Sequence, residues 1–529
     1  MENLKEMENL LKQGKISRRD FLVKTTLLGA AATLTPAAFF TNNARAGVPK
    51  KGGLFRMGMV GGNTTDSMDP GLLNDAMNQN LNWQIRNNLV EVDDKGNLIP
   101  ELAESWESSP DAATWTFKIR KGVEFHNGKT LTAEDVIASI NHHRGEGTKS
   151  AGKAILSPVK DIKADGKHIV VFTLDSGNAD FPAVLTDFHY PIFPAGTQGA
   201  AFEQGIGTGP FVLKTWEPGV RSLTTRNPNY WKEGRGHFDE VQMLGINDVT
   251  ARTSALLSRQ IDFMNQCELK TVNRLEKASE VNILRAPGNF HYTLPMMVDQ
   301  APFNNNDVRL ALKYAIDREE LLKQFLNGYG RVGNDHPISP NYRYFAKDLP
   351  QRHYDPDKAK FHLKKAGMEG TTFKLHTSGL NNIVDAAILY KEQASKAGIN
   401  IETVLEPTDG YWANVWLKKP WISCFWNGRA TVDLMFSTAY SAEAKWNDTH
   451  WKNPRFNELL KDARAELDEK KRGEMYKEMQ LLCRDDGGSI IYLFKDYVEA
   501  TSKKIGHGEL SGNLEADGCR NAERWWFES

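Results

Sequence analysis

Along the chain, apolar and polar positions first alternate with a period of two and later recur with helical spacing. Between 114 and 125, Trp115, Phe117 and Ile119 fall on one side and Thr116, Lys118 and Arg120 on the other, which predicts a half-buried strand. Lys121-Gly122 turns the chain, Val123 and Phe125 resume the alternation, and Asn127-Gly128 marks a turn. Asp165-Gly166 opens a second strand in which Val170, Phe172 and Leu174 share a face. The region to about residue 285 thus reads as strand-rich, with short helices such as one starting near Asp248.

Helical periodicity then takes over. From the candidate N-cap Asn306, the residues Val308, Ala311, Leu312, Ala315, Ile316, Leu322 and Phe325 form one stripe, and Gly328 can end the helix. Asp355-Pro356 starts another helix, with Gly367 just past its end. Residues 373–377 and 399–405 read as strands flanking a helix near 382–397, a strand–helix–strand unit that makes the second half α/β. Two charged helices fit 454–466 and 468–483, and the apolar run Ile490–Phe494 returns to a strand. There is no repeat, heptad or low-complexity block.

Composition narrows the function classes. The 529 residues, 40% hydrophobic and 25% charged, are ordinary for a globular chain of two to four domains. Sixty-six basic and 67 acidic residues give a net charge of −1, so the basic field of a nucleic-acid binder is missing. Four cysteines form neither a CxxC pair nor a disulfide scaffold.

The first 46 residues read as an address. Ser17-Arg18-Arg19-Asp20-Phe21-Leu22-Val23-Lys24 is a twin-arginine export motif, followed by 20 uncharged residues from Thr25 to Ala44 and the A-x-A site Ala44-Arg45-Ala46. Richness in Ala, Thr and Gly favours a removed signal over a membrane anchor, and no other window approaches a transmembrane span. The expected mature chain starts at Gly47 with a charge of −4, after loss of seven basic and four acidic residues. Folding before export would leave Cys267, Cys424, Cys483 and Cys519 with no need to pair, although later pairing stays open.

Six ordered motifs carry a family resemblance. Glu101-Leu102-Ala103-Glu104-Ser105-Trp106 followed by Trp115 to Gly128 is similar to the signature of family 5 solute-binding proteins, the peptide-, nickel- and opine-type receptors of ABC importers. Asp66-Ser67-Met68-Asp69-Pro70 resembles its early "LDP" strand end, and Thr208 to Phe211 with Arg226 to Trp231 its "GTGPF" and "NPNYW" blocks. Asp307 to Arg318 and Tyr354 to Ala359 resemble "DVRxAlxyAIDR" and "YDPekAk". The resemblance implies an α/β, two-lobed periplasmic binding protein (type II, cluster C) with an extra subdomain on the first lobe. The expected boundaries are a signal over 1–46, a first lobe over 47–288 with its subdomain at about 85–225, a second lobe over 289–497, and a return to the first lobe over 498–529. It also implies hinge closure around a small solute or short peptide, delivery to permease subunits in the inner membrane, a periplasmic location, a monomeric state, and no cofactor or nucleic acid.

Ligand information concentrates where Trp does. Six of the 13 Trp lie between 412 and 451, and Trp suits a cleft wall. Trp426-Asn427-Gly428-Arg429 stands where dipeptide receptors resemble "WTGD", whose Asp meets the peptide ammonium. Arg429 inverts that charge and offers a fork to carboxylate or phosphate, as in an opine-like conjugate, an acidic peptide or a sugar phosphate. Two readings stay open: Arg429 binds the ligand, or it pairs with Asp433, which in turn is a candidate for an amine. Trp412, Tyr411, Asn63, Thr65 and Tyr292 are the further candidates, with Thr64 beside them. His142-His143-Arg144 reads as a solvated helix end, since adjacent helical residues face apart.

The competing classes are a nickel- or haem-chelate receptor and an exported hydrolase. No G-x-S-x-G elbow, H-E-x-x-H pair or soft metal cluster is present. Gly205 to Pro210 resembles a phosphate loop only superficially, with Pro in place of its third glycine.

Overall fold

The computed structural model describes residues 49–528 apart from 74 and 409, so the twin-arginine motif and its cleavage site lie outside the described residues. Two sheets, each assembled from distant segments, dominate it. The larger runs in the order Val281–Ala286, Tyr497–Ser502, Phe263–Met264, Leu54–Met59, Glu240–Gly245, Arg221–Arg226, Phe211–Glu217. Leu54–Met59 sits at its centre, parallel to both neighbours, and Phe55, Met57 and Met59 are buried there. The second sheet is antiparallel, in the order Gly330–Val332, Ser489–Lys495, His291–Pro295, Cys424–Trp426. Every residue of His291–Pro295 is buried, as befits an inner strand covered on both faces.

The chain passes between these sheets twice, over residues 287–290 and at Asp496. Buried Asp496 accepts a hydrogen bond from Arg285 Nε at 2.5 Å, tying the two crossings together. The predicted strand–helix–strand unit is present: Thr372–Thr377 and Asn400–Leu405 pair in parallel around the helix Ile383–Lys396. It adjoins the second sheet through an isolated bridge, where the Ser423 N–H donates to the His376 carbonyl at 2.8 Å.

A third sheet, Ala103–Ser108, Thr114–Ile119, Ile169–Leu174, Val159–Ala164, forms the extra subdomain. Its predicted alternation packs Trp115, Phe117 and Phe172 inward, with Phe117 and Phe172 edge to face at 5.4 Å. The Thr208-Gly209-Pro210 block is a close backbone crossing. A Cβ at Gly207 would lie 2.0 Å from the Ile85 carbonyl oxygen and one at Gly209 2.5 Å from that of Gln84, so only glycine fits.

The single helix expected from 306 to 325 is two, Asn306–Tyr314 and Arg318–Gln324, and its N-cap is Asn305, which accepts the Asp307 N–H at 2.9 Å. Asp317 interrupts the stripe by capping the second helix, accepting the Glu320 N–H at 2.9 Å. The bend turns Arg318 inward, where its guanidinium meets buried Asp335 at 2.6 Å. Nor is His142-His143 a solvated helix end. His142 Nε2 contacts Asp69 at 2.6 Å, and His143 is fully buried against Ser150, its imidazole pushed down to about 3 by burial.

The C-terminal segment is held by a buried network of charge. Lys232 Nζ reaches Glu91, Glu101 and Glu523 at 2.5, 3.1 and 2.9 Å. Arg520 joins Glu101 and Glu523, and Arg524 joins Glu91 and Asp517. Just before it the backbone makes a left-handed turn, with φ of 53, 56, 70 and 57° at Ala516, Asp517, Gly518 and Cys519. Non-glycine residues there cost roughly 1–2 kcal/mol each. The offset is visible: Glu499 accepts the Ala516 N–H at 2.6 Å, and Asp517 accepts from Ser511 N–H and Trp525 Nε1–H at 2.8 and 3.0 Å. All four cysteines are buried free thiols. Among the described residues no helix is long and apolar enough to cross a membrane.

Candidate functional site

The edge strand Cys424–Trp426 ends in the loop Asn427 to Ala430, and Thr431 then caps the helix Val432–Ala439 by accepting the Leu434 N–H at 3.1 Å. This loop has to be tight. A Cβ on Gly428 would stand 2.4 Å from Asn289 Cβ, beside the first crossing. The Arg429 N–H donates to the Tyr342 hydroxyl at 2.9 Å, which fixes where the side chain starts.

The guanidinium of Arg429 is half-buried with its Cζ 5.8 Å from the centre of the Trp426 ring. Its Nη1 donates to the carbonyls of Asn427 and Gly428 at 3.2 and 3.1 Å. Among the described residues, Nε and Nη2 have no hydrogen-bond partner and no carboxylate stands at ion-pair distance. Burial pulls its pKa below the usual arginine value, but a guanidinium keeps its proton in proteins. Asp187 of the extra subdomain faces it at longer range and is itself bonded to His189 at 2.6 Å. The arrangement leaves half of a bidentate donor fork free.

Asp433 does not fill it. This carboxylate is 3% exposed and accepts from Arg464 Nε at 3.2 and 3.3 Å, so the internal Arg429–Asp433 pair does not form. Burial raises Asp433 to about 6 even beside Arg464. The same corner joins the subdomain to the second sheet's helices: Arg472 contacts Asp180 at 2.6 Å, and the Ala179 N–H donates to the Arg464 carbonyl at 2.7 Å.

Trp426 belongs to a cluster of indoles. Trp416, Trp426 and Trp446 stand pairwise 6.1 Å apart, and Trp412 packs edge-on to Trp416 at 5.9 Å. Buried Asp448 accepts both the Trp416 and Trp426 Nε1–H, at 3.3 and 3.2 Å, and burial raises it to about 6. Trp412 and Trp446 are 42% and 47% exposed, so this cluster presents aromatic surface, while Trp426 itself is nearly covered. Asn427 is exposed beside Arg429.

The other sequence candidates divide. Tyr411 is core, its hydroxyl donating to the Ser423 carbonyl at 2.8 Å. Tyr292 is core too, packed on Phe290, Phe325 and Tyr492, and burial pushes its hydroxyl upward. Asn63 and Thr65 are exposed in the loop that follows Leu54–Met59, folded by Asp66, which accepts the Asn63 N–H at 2.6 Å. That loop lies off the carboxyl end of a parallel strand, where open α/β sheets hold ligands. Among the described residues no hydrogen bond or ring contact joins it to the Arg429 loop. Sequence reasoning missed Tyr342, Asp448 and Lys495, none of which stands in a distinctive motif.

The comparisons agree with this architecture. The family model described as bacterial extracellular solute-binding proteins, family 5 Middle, matches residues 97–448. The glutathione-binding protein GsiB of Pectobacterium atrosepticum is 26% identical over 464 residues, 84% of this chain and 89% of that protein. Among solved structures, the periplasmic binding protein DppA from Helicobacter pylori with the peptide STSA superposes with a TM-score of 0.74 at 23% identity, covering 91% of this chain and 99% of that one. The binding protein AgaA from A. tumefaciens R10 with agropinic acid gives 0.73 at 24%, covering 90% and 99%. These are two-lobed receptors of mixed α/β content, and the chain belongs to the bacterial extracellular solute-binding proteins, family 5.

Proposed function

We propose that the Arg429 loop, with Asn427 and the exposed faces of Trp412 and Trp446, is the ligand site of a receptor serving an ABC importer, and that the ligand presents a carboxylate or phosphate to Arg429. The observation that carries the reading is the free Nε and Nη2 of a half-buried arginine, a fork shaped for a planar or tetrahedral anion. Relatives named for glutathione, for agropinic acid and for peptides all handle solutes with carboxylates. The proposed lobes meet at residues 287–290 and at Asp496, so the Arg429 loop lies against the hinge. Export by the twin-arginine route, cleavage after Ala46 and action as a monomer complete the reading. A metal-chelate receptor is less favoured: among the described residues no three His, Cys, Asp or Glu side chains gather where they could hold a metal.

Native mass spectrometry of the protein purified from periplasm tests this. The wild-type chain should carry a small acidic solute, recovered unchanged, and Arg429→Ala should arrive empty. A solute retained by Arg429→Ala would reject the assignment.

A further inference from the structure

A second cation at the same end of this sheet has no partner among the described residues either. Lys495 is the last residue of Ser489–Lys495, where its N–H donates to the Phe290 carbonyl at 2.9 Å. Its half-buried amine lies 5.9 Å from the centre of the Phe290 ring, and among the described residues it makes no hydrogen bond or ion pair. Only the strand His291–Pro295 separates the end of its strand from Cys424–Trp426, since His291 pairs with Phe494 on one side and Trp426 on the other.

The rings between the two cations touch one another. Phe290 stacks on Phe425 at 5.3 Å, Phe425 meets Trp412 at 5.3 Å, Trp412 meets Trp416 at 5.9 Å, and Trp416 meets Trp426 at 6.1 Å. Lys495 stands over the first ring of this run and Arg429 over the last. Two acids face Lys495 from other elements, Glu515 and Glu268, both beyond ion-pair distance. Glu515 is already engaged, accepting from Asn265 Nδ2 at 3.0 Å and Gln266 Nε2 at 3.2 Å. A half-buried ammonium without a counterion is costly, and an arriving anion would remove that cost.

We propose that Lys495 is a second anion contact of this site, so that the ligand carries two anionic groups, one for each end of the aromatic run. The proposal rests on the Arg429 reading and sharpens it. The ligand class becomes a dicarboxylate, or a carboxylate with a phosphate, whose carbon skeleton lies along the rings.

Calorimetry with matched acids tests it, using glutathione and N-carboxyalkyl amino acids as dicarboxylate probes and each of their two monoesters. At least one dicarboxylate should bind wild type about tenfold or more tighter than either monoester. Lys495→Met should weaken the dicarboxylate about tenfold and leave unchanged the one monoester whose free carboxylate meets Arg429, which Arg429→Met should in turn weaken. Lys495→Arg should restore binding, and the unchanged monoester reports an intact fold. Equal affinity for dicarboxylate and monoesters, or no effect of Lys495→Met, overturns the proposal. Binding of singly charged or neutral peptides alone overturns it while leaving the receptor reading intact; if Arg429→Met also leaves that binding unchanged, both fail.

Discussion

The protein uses the same side chains in opposite ways at its C-terminal clasp and at the Arg429–Lys495 end of its second sheet. In the clasp, Lys232 and Arg520 lie over Trp231 and Trp83 at 5.4 and 4.9 Å, and each also reaches at least two carboxylates. At that end of the sheet, Lys495 and Arg429 lie over Phe290 and Trp426 at 5.9 and 5.8 Å and reach none among the described residues. A buried cation with its anions in place stabilises one arrangement of the chain and has no capacity left for a solute. A cation on an aromatic face with its anion missing is held in position by the ring and the backbone alone. On the proposed reading, that difference separates structure from recognition more clearly than residue type or burial does.

Breaking the clasp should have the largest effect. Lys232→Met leaves three buried carboxylates, Glu91, Glu101 and Glu523, to only two cations, Arg520 and Arg524, and should cost about 3–5 kcal/mol in urea unfolding, with ligand affinity of the folded protein unchanged. Arg429→Met should do the reverse, weakening the acidic ligand about 100-fold in calorimetry while the unfolding midpoint stays in place.

Acidity separates the two regions further. In the clasp, burial works against ionised Glu91, but Lys232, Arg520 and Arg524 outweigh it and hold its pKa well below 4.5. That contribution is present above about pH 4.5 and is lost as pH falls below it. Asp448, under the indoles, behaves oppositely: burial raises it from 3.8 to about 6, so the folded protein loses stability as pH rises between these values and is level above. Asp448→Asn keeps an acceptor for both indoles and should flatten that slope, adding about 1–3 kcal/mol at pH 7 and little at pH 4. The smallest effect is expected for Trp446→Ala, a loss of a few-fold in affinity and under about 1 kcal/mol in stability, because nearly half of the ring is already in solvent.

Local chemistry was the readable part of the fold. The caps at Asp248 and Asp355, the alternation through Trp115 and Phe117, and the strand–helix–strand unit are dictated by neighbours within a few residues, and they stand where the sequence puts them. Arg429 was legible because the family motif supplied an expectation for it to violate. The clasp was not. Arg520, Glu523 and Arg524 look like the charged face of a solvated helix, and Glu101, the partner of Arg520, lies 419 residues away from it. Lys495 closes an apolar run as any solvated lysine would, and only the sheet order places it one strand from the Arg429 loop. That Tyr292 and Tyr411 lie in the core is not legible for the same reason: which face of the strand or helix meets the core depends on tertiary packing.

On the proposed reading, Arg429 is held open for an anion of the ligand. A crystal structure of periplasm-purified protein with its co-purified solute tests it most directly. A carboxylate or phosphate oxygen is expected at about 2.7–2.9 Å from Arg429 Nη2 or Nε. A solute seated elsewhere, with Arg429 still bonded only to its own loop, would contradict it.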